Sequence, residues 1–213
     1  MPLDRRPDSA SGTPEARPRS SNPGSELLTA DQPGRPARLG IDRGSDANTL
    51  VAEQWVPCAV ADVFPFFSRA SNLERLTPGF LHLRIRSTSA PEIGQGFVIR
   101  YDLRLHGLPL RWASRIDLWS PPHAFTDTQL SGPFRLWRHL HEFVDVDGGT
   151  LLRDTVHYAM PFHRFAAIPP LSWVDDDVRV IFRYRQQVIA DLFGGATSGE
   201  RRVPTSAAEL RGV

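Results

Sequence analysis

Between residues 125 and 158 polar and apolar side chains alternate with a period of two in three successive runs. In the first, residues 125–130, Phe125, Asp127 and Gln129 fall on one face and Thr126, Thr128 and Leu130 on the other. Gly132-Pro133 is a turn signal. Residues 134–144 then set Trp137, His139, His141 and Phe143 on one face, with Leu136, Arg138, Leu140 and Glu142 opposite. Asp147-Gly148-Gly149 predicts a hairpin, and residues 150–158 group Leu152, Asp154, Val156 and Tyr158 on one side. The three runs read as adjacent antiparallel strands in which aromatic rings share a face with imidazoles and carboxylates. A core strand has no need of that mixture. A pocket that is mostly apolar, with a few placed polar groups, does.

The pattern extends in both directions. Residues 49–56 read as a first strand, ended by Pro57. Residues 61–70 predict a short amphipathic helix carrying Val63, Phe64, Phe66 and Phe67, with Asp62 as its N-cap and Pro65 in its first turn. Ser71-Asn72-Leu73-Glu74 reads as a capping box opening a second short helix, closed at Thr77-Pro78. Residues 80–87 and 97–106 alternate as strands, the second lining Phe97, Ile99, Tyr101, Leu103 and Leu105 on one side. Gly107-Leu108-Pro109 turns the chain into a strand over 110–119, with Trp112, Ser114, Ile116 and Leu118 inward. Residues 160–171 form an apolar, proline-rich loop, read equally as a connector or as the mouth of a pocket. Residues 172–193 repeat apolar positions at helical spacing, from Val174 through Val178, Ile181, Phe182, Val188 and Ile189 to Leu192. Ser172 is the expected cap, Asp175, Asp176 and Asp177 occupy the first turn, and Gly194-Gly195 is the stop.

Composition narrows the reading. Residues 1–48 are rich in Pro, Arg, Ser, Gly and Asp with almost no aromatic side chains, too little apolar surface to offset the entropy of ordering. They are expected to be a disordered tail, residues 49–195 a single domain, and residues 196–213 a second flexible tail. A formal charge of +1 over 213 residues gives no field to attract nucleic acid. The lone Cys58 rules out an intramolecular disulfide framework. With no secretory signal and no apolar run of membrane-spanning length, the expectation is a cytoplasmic protein with no integral membrane segment.

The predicted order is a strand, two short helices, about six strands and one long helix: an α+β layout of antiparallel strands with helices on one face. The segments VAEQWVPCAVADVFPFFSRASNLERLTP, GLPLRW, FTDTQLSGPFRLWRHLHEF, GGTLLRDTVHYAMP and IFRYR resemble the ligand-binding SRPBCC branch of the START/Bet v 1-like superfamily. Polyketide cyclase/dehydrase-like and coenzyme Q-binding-like proteins share that superfamily. The resemblance spans about residues 49–193. It implies a helix-grip fold, a curved seven-stranded antiparallel sheet around the C-terminal helix, enclosing an apolar cavity. It implies no single reaction.

The residues that carry chemistry are few. His139 and His141, two apart on one strand, share a face with Asp127 and Asp154. Spacing alone favours hydrogen bonds from the two rings to Asp127, Gln129 or Asp154 over a metal site, because no further metal motif accompanies the pair. The same four residues are the acid–base candidates if catalysis occurs. Arg185 lies within the apolar stripe of the long helix, which predicts an ion pair with Asp154 or Asp127 in preference to a ligand contact. Tyr101, Trp112, Gln129, Trp137, Phe143 and Tyr158 complete the expected ligand-binding set with His139, His141 and Arg185. No cofactor or metal is expected. The leading expectation is binding of a small hydrophobic or amphipathic ligand, lipid, isoprenoid or polyketide-like. The alternatives are a cyclase/dehydratase-type enzyme in the same cavity and a non-enzymatic protein-interaction module.

Overall fold

The computed structural model describes residues 37–146, 148–161 and 173–194. Eight strands form one antiparallel sheet: β1 (Arg38–Arg43), β2 (Asn48–Val56), β3 (Arg84–Thr88), β4 (Val98–Leu105), β5 (Leu108–Ser120), β6 (Ala124–Ser131), β7 (Leu136–Val146) and β8 (Gly149–Ala159). Their order across the sheet is β1-β2-β8-β7-β6-β5-β4-β3. Helix α1 (Val60–Phe67) and two 3-10 turns, Ala70–Leu73 and Gly79–Leu81, connect β2 to β3. Helix α2 (Val174–Phe193) ends the described chain. Among the described residues no helix is long and apolar enough to cross a membrane.

This is the expected α+β helix-grip layout with one strand more than the seven implied. The extra strand is β1, inside the stretch expected to be disordered. Only Leu39 and Ile41 alternate there, among Arg, Gly and Asp, which is too short a pattern to read as a strand. Pairing supplies what the pattern lacks: β1 completes the edge of β2, its two apolar side chains join the core, and Gln186 of α2 donates to the Arg38 carbonyl at 2.9 Å. Strand structure is therefore already present at Arg38, eleven residues before the expected start at Thr49. Residues 1–36, 162–172 and 195–213 lie outside the described residues, and with them most of the proline-rich loop and the expected Ser172 cap.

Local corrections follow from tertiary contacts. Helix α1 starts after Ala59, not Asp62, and makes no side-chain cap bond; Pro65 is its sixth residue rather than part of its first turn. The expected capping box is absent. Glu74 accepts the Ile85 backbone N–H at 3.0 Å, while Asn72 donates to the Phe66 carbonyl at 2.8 Å. Residues 79–81 form a 3-10 turn, so the strand read from residue 80 begins at Arg84. The β4–β5 hairpin turns on His106-Gly107, both at positive φ (50° and 81°), a primed two-residue turn, and Pro109 belongs to β5.

The core divides in two. One cluster joins α1, the strands and the C-terminal half of α2 through Phe64, Phe67, Phe125, Phe143, Val188 and Ile189. The other joins β2 and β8 to the N-terminal half of α2 through Leu50, Val156, Tyr158, Val178 and Phe182. Arg185 falls on the helix stripe between them.

Candidate functional site

Strand register builds the site. Asp127 of β6 is directly opposite His139 of β7, and Asp154 of β8 is directly opposite His141. All four side chains point to the face that meets α2. Each imidazole thus has one carboxylate across the ladder and the other on the diagonal, within side-chain reach.

The contacts interlock. His139 Nε2 lies 3.0 Å and His141 Nδ1 2.8 Å from Asp154 Oδ1. His141 Nε2 lies 3.1 Å and His139 Nδ1 3.5 Å from Asp127 Oδ2. From the helix, Arg185 donates Nε to Asp154 Oδ2 at 2.9 Å and reaches Asp154 Oδ1 with Nη2 at 3.3 Å. Its Nη2 is also 3.1 Å from His141 Nδ1, and the guanidinium lies over the Phe67 ring. The ring of His141 stacks on Phe125, with centroids 4.1 Å apart. His139, His141, Asp154 and Arg185 are buried; Asp127 is half-buried.

Electrostatics follow from burial and pairing. Burial works to raise the Asp154 carboxyl, but the Arg185 charge and the two histidine hydrogen bonds outweigh it and hold Asp154 well below the usual carboxylate range. Burial likewise opposes ionisation of Asp127, and the His141 hydrogen bond with the nearby His139 and Arg185 charges still keeps it low. His139 is pushed down to about 4, mainly by burial and then by His141, against the pull of the two carboxylates. Its imidazole is therefore neutral near pH 7.

The cluster forms part of the wall of a cavity of about 240 Å³ between the sheet and α2. Asp127, His139, His141 and Arg185 all line it, with Tyr101, Trp112 and Trp137 among the ring-bearing walls. Four expected members of the site sit elsewhere. Gln129 uses its amide on the Phe134 backbone, bracing the β6–β7 turn. Phe143 packs in the first core cluster. Asp154 stands behind the histidines rather than on the cavity surface. Tyr158 donates its hydroxyl to Asp175 Oδ1 at 2.7 Å.

That last contact exposes a residue the pattern reading passed over. Asp175 is buried and also receives Arg43 Nε at 2.6 Å and Asn48 Nδ2 at 2.8 Å. Burial works against its charge, but the Tyr158, Arg43 and Asn48 bonds hold its carboxyl below the usual range. Read from the sequence as a macrodipole partner, it is three residues before Val178 and so on the same stripe that singled out Arg185. The cavity also takes Leu103, Leu105 and Leu110 from the β4–β5 hairpin and Ile181 and Phe182 from α2. Alternation had placed several of these inward without marking them as walls.

No family model and no curated protein matches the chain. Solved structures do. Protein Ms6760 from Mycobacterium smegmatis is 16% identical with a TM-score of 0.54, covering 74% of this chain and 97% of that one. Protein CV1439 from Chromobacterium violaceum is 13% identical with a TM-score of 0.54, covering 70% and 98%. Ginseng major latex-like protein 151 from Panax ginseng is 11% identical with a TM-score of 0.52, covering 70% and 99%. The fold is START/Bet v 1-like. At these identities the likeness establishes the helix-grip fold, and function has to be argued from the cavity and its polar wall.

Proposed function

We propose that this domain binds a small hydrophobic or amphipathic ligand, lipid, isoprenoid or polyketide-like, in the cavity between the sheet and α2. One observation carries the reading. The cavity is walled chiefly by aromatic and aliphatic side chains; Asp127, His139, His141 and Arg185 form one polar cluster on its wall, and Arg69, Asn72, Thr77, Ser114 and Asp177 are its other polar lining residues. A mostly apolar body with a polar group that meets the histidine cluster matches that lining. About 240 Å³ suits a compact ligand rather than a diacyl lipid.

The test is native mass spectrometry of the protein purified from its own host, with displacement of a fluorescent apolar probe as the quantitative arm. A retained small molecule is expected, and Leu103→Trp, which fills the cavity, abolishes probe binding. Absence of any retained molecule together with unchanged probe binding by Leu103→Trp overturns the reading.

A cyclase/dehydratase-type reaction is favoured by a separate observation: both histidines reach the cavity and each is backed by carboxylates. Such pairs are the parts of general acid–base catalysis. On this reading, His141→Asn retains the ligand found in the native protein but no longer converts it. Equal turnover by that variant rules the reading out.

A further inference from the structure

The four imidazole nitrogens of His139 and His141 face only two carboxylates. Asp154 Oδ1 collects one nitrogen from each ring, at 3.0 Å and 2.8 Å. Asp154 is itself fixed by two guanidinium bonds from Arg185. Neutral imidazole carries a single N–H. If both rings donate that N–H to Asp154, His139 Nδ1 and His141 Nε2 are left as bare acceptors. Both then point at a third acceptor, Asp127 Oδ2, at 3.5 Å and 3.1 Å. Three lone-pair donors converging on one place repel one another unless a cation lies between them.

From this convergence we propose that Asp127, His139 and His141 are the ligands of a divalent first-row transition ion, zinc or ferrous iron in kind. The site is independent of whether the cavity takes an apolar ligand. Bonds of about 2.0–2.2 Å to N and O put neighbouring ligand atoms about 2.9–3.5 Å apart, and the two nitrogen–oxygen separations here are 3.5 Å and 3.1 Å. The ligand atoms of all three residues lie within 4.8 Å of one another. Two imidazoles and one carboxylate are a borderline donor set that suits such ions better than calcium or magnesium. Asp154 takes the outer place, a carboxylate that orients the second nitrogen of each ligating ring. All three ligands line the cavity, so the ion's remaining positions open onto it. Charge is consistent: two carboxylates against Arg185 leave one negative charge beside the socket.

One contact opposes the assignment. Arg185 Nη2 lies 3.1 Å from His141 Nδ1, and a ring accepting that bond would turn its own N–H toward Asp127 and close the socket. Binding of a cation at Nε2 would move that N–H to Nδ1, where Asp154 Oδ1 lies 2.8 Å away to accept it. His-x-His spacing alone had favoured hydrogen bonds over a metal. The third ligand and the outer carboxylate come from strands β6 and β8, where spacing within β7 has no view.

The experiment uses the full chain, purified through a tag without histidine, stripped with chelator and titrated with Co(II) or Zn(II). One Co(II) per chain is expected, with visible d–d bands of nitrogen–oxygen coordination. Binding is lost in Asp127→Asn and in the His139→Gln/His141→Gln double variant, and kept in His157→Gln on the exposed outer surface. Zn(II) raises the melting temperature of the wild type but not of Asp127→Asn. If the double histidine variant does not fold, the wild-type melting shift and Asp127→Asn still decide. Absence of stoichiometric binding, or binding that survives Asp127→Asn, overturns the proposal.

Discussion

At the scale of single residues, Arg185 and His139 are the most informative. A guanidinium buried between two apolar clusters is tolerable only while Asp154 answers it. Arg185→Met leaves Asp154 as a buried carboxylate with histidine partners only. We expect a loss of about 3–5 kcal/mol in urea melts of the ligand-free protein, the range for breaking a buried pair. A loss below about 1 kcal/mol would mean that Asp154 and the histidines hold the cluster without the arginine. His139 makes a pH prediction with a definite sign. Its unfolded value is near 6.5 and its folded value about 4, so between these the unfolded chain binds more protons. Stability therefore falls as pH drops from about 6.5 to 4, by about 3 kcal/mol from this group, and the loss stops below the folded value. Chelator-treated His139→Gln lacks that slope. Equal slopes in wild type and variant between pH 4 and 6.5 would contradict it.

At the scale of elements, strand β5 shows how a correct period yields a wrong face. Trp112, Ser114 and Ile116 are buried as alternation predicts, but Leu118 is 43% exposed and Trp119 packs on Phe64 and Phe125 instead. The register with β6 shifts between Ile116 and Leu118, a bulge that adds one residue and inverts every later side chain. Nothing in the residues 116–119 themselves marks it, since both parities present an apolar side chain. Leu118→Gln is expected to change stability by no more than about 0.5 kcal/mol, whereas Trp119→Ala costs about 3 kcal/mol. Chemical denaturation of the two variants checks this, and the reverse order would place Leu118 inward after all.

At the scale of the whole molecule, the boundary of the folded unit is testable by truncation. The composition of residues 1–36 and 195–213 predicts that both are dispensable for folding. A fragment of residues 37–195 should keep the urea midpoint of the full chain. A fragment of residues 45–195 loses β1, its apolar pair Leu39 and Ile41, and the carbonyl that receives Gln186. It also loses Arg43 from Asp175. Its midpoint should fall clearly, and two fragments of equal stability would show β1 to be an ornament on the edge of β2.

Much of the architecture was readable from period and punctuation. Among the described residues, seven of the eight strands, the long helix α2 and the inward set of β4, β7 and β8 follow from side-chain alternation and helical spacing, which are local properties of the chain. The helix stripe picked out Arg185, and strand alternation offered Asp154 or Asp127 as its partner; the fold selects Asp154. Long-range pairing decided the remainder. β1 exists because β2 offers it an edge, Leu118 turns outward because a bulge intervenes, and Gln129 and Tyr158 leave the expected site for nearer backbone and carboxylate partners. The polar wall is the clearest case. A strand's own sequence says which side chains share a face, but the neighbour across the ladder is chosen by register, and register belongs to the assembled sheet. Only there do Asp127 and Asp154 close on His139 and His141 from opposite sides.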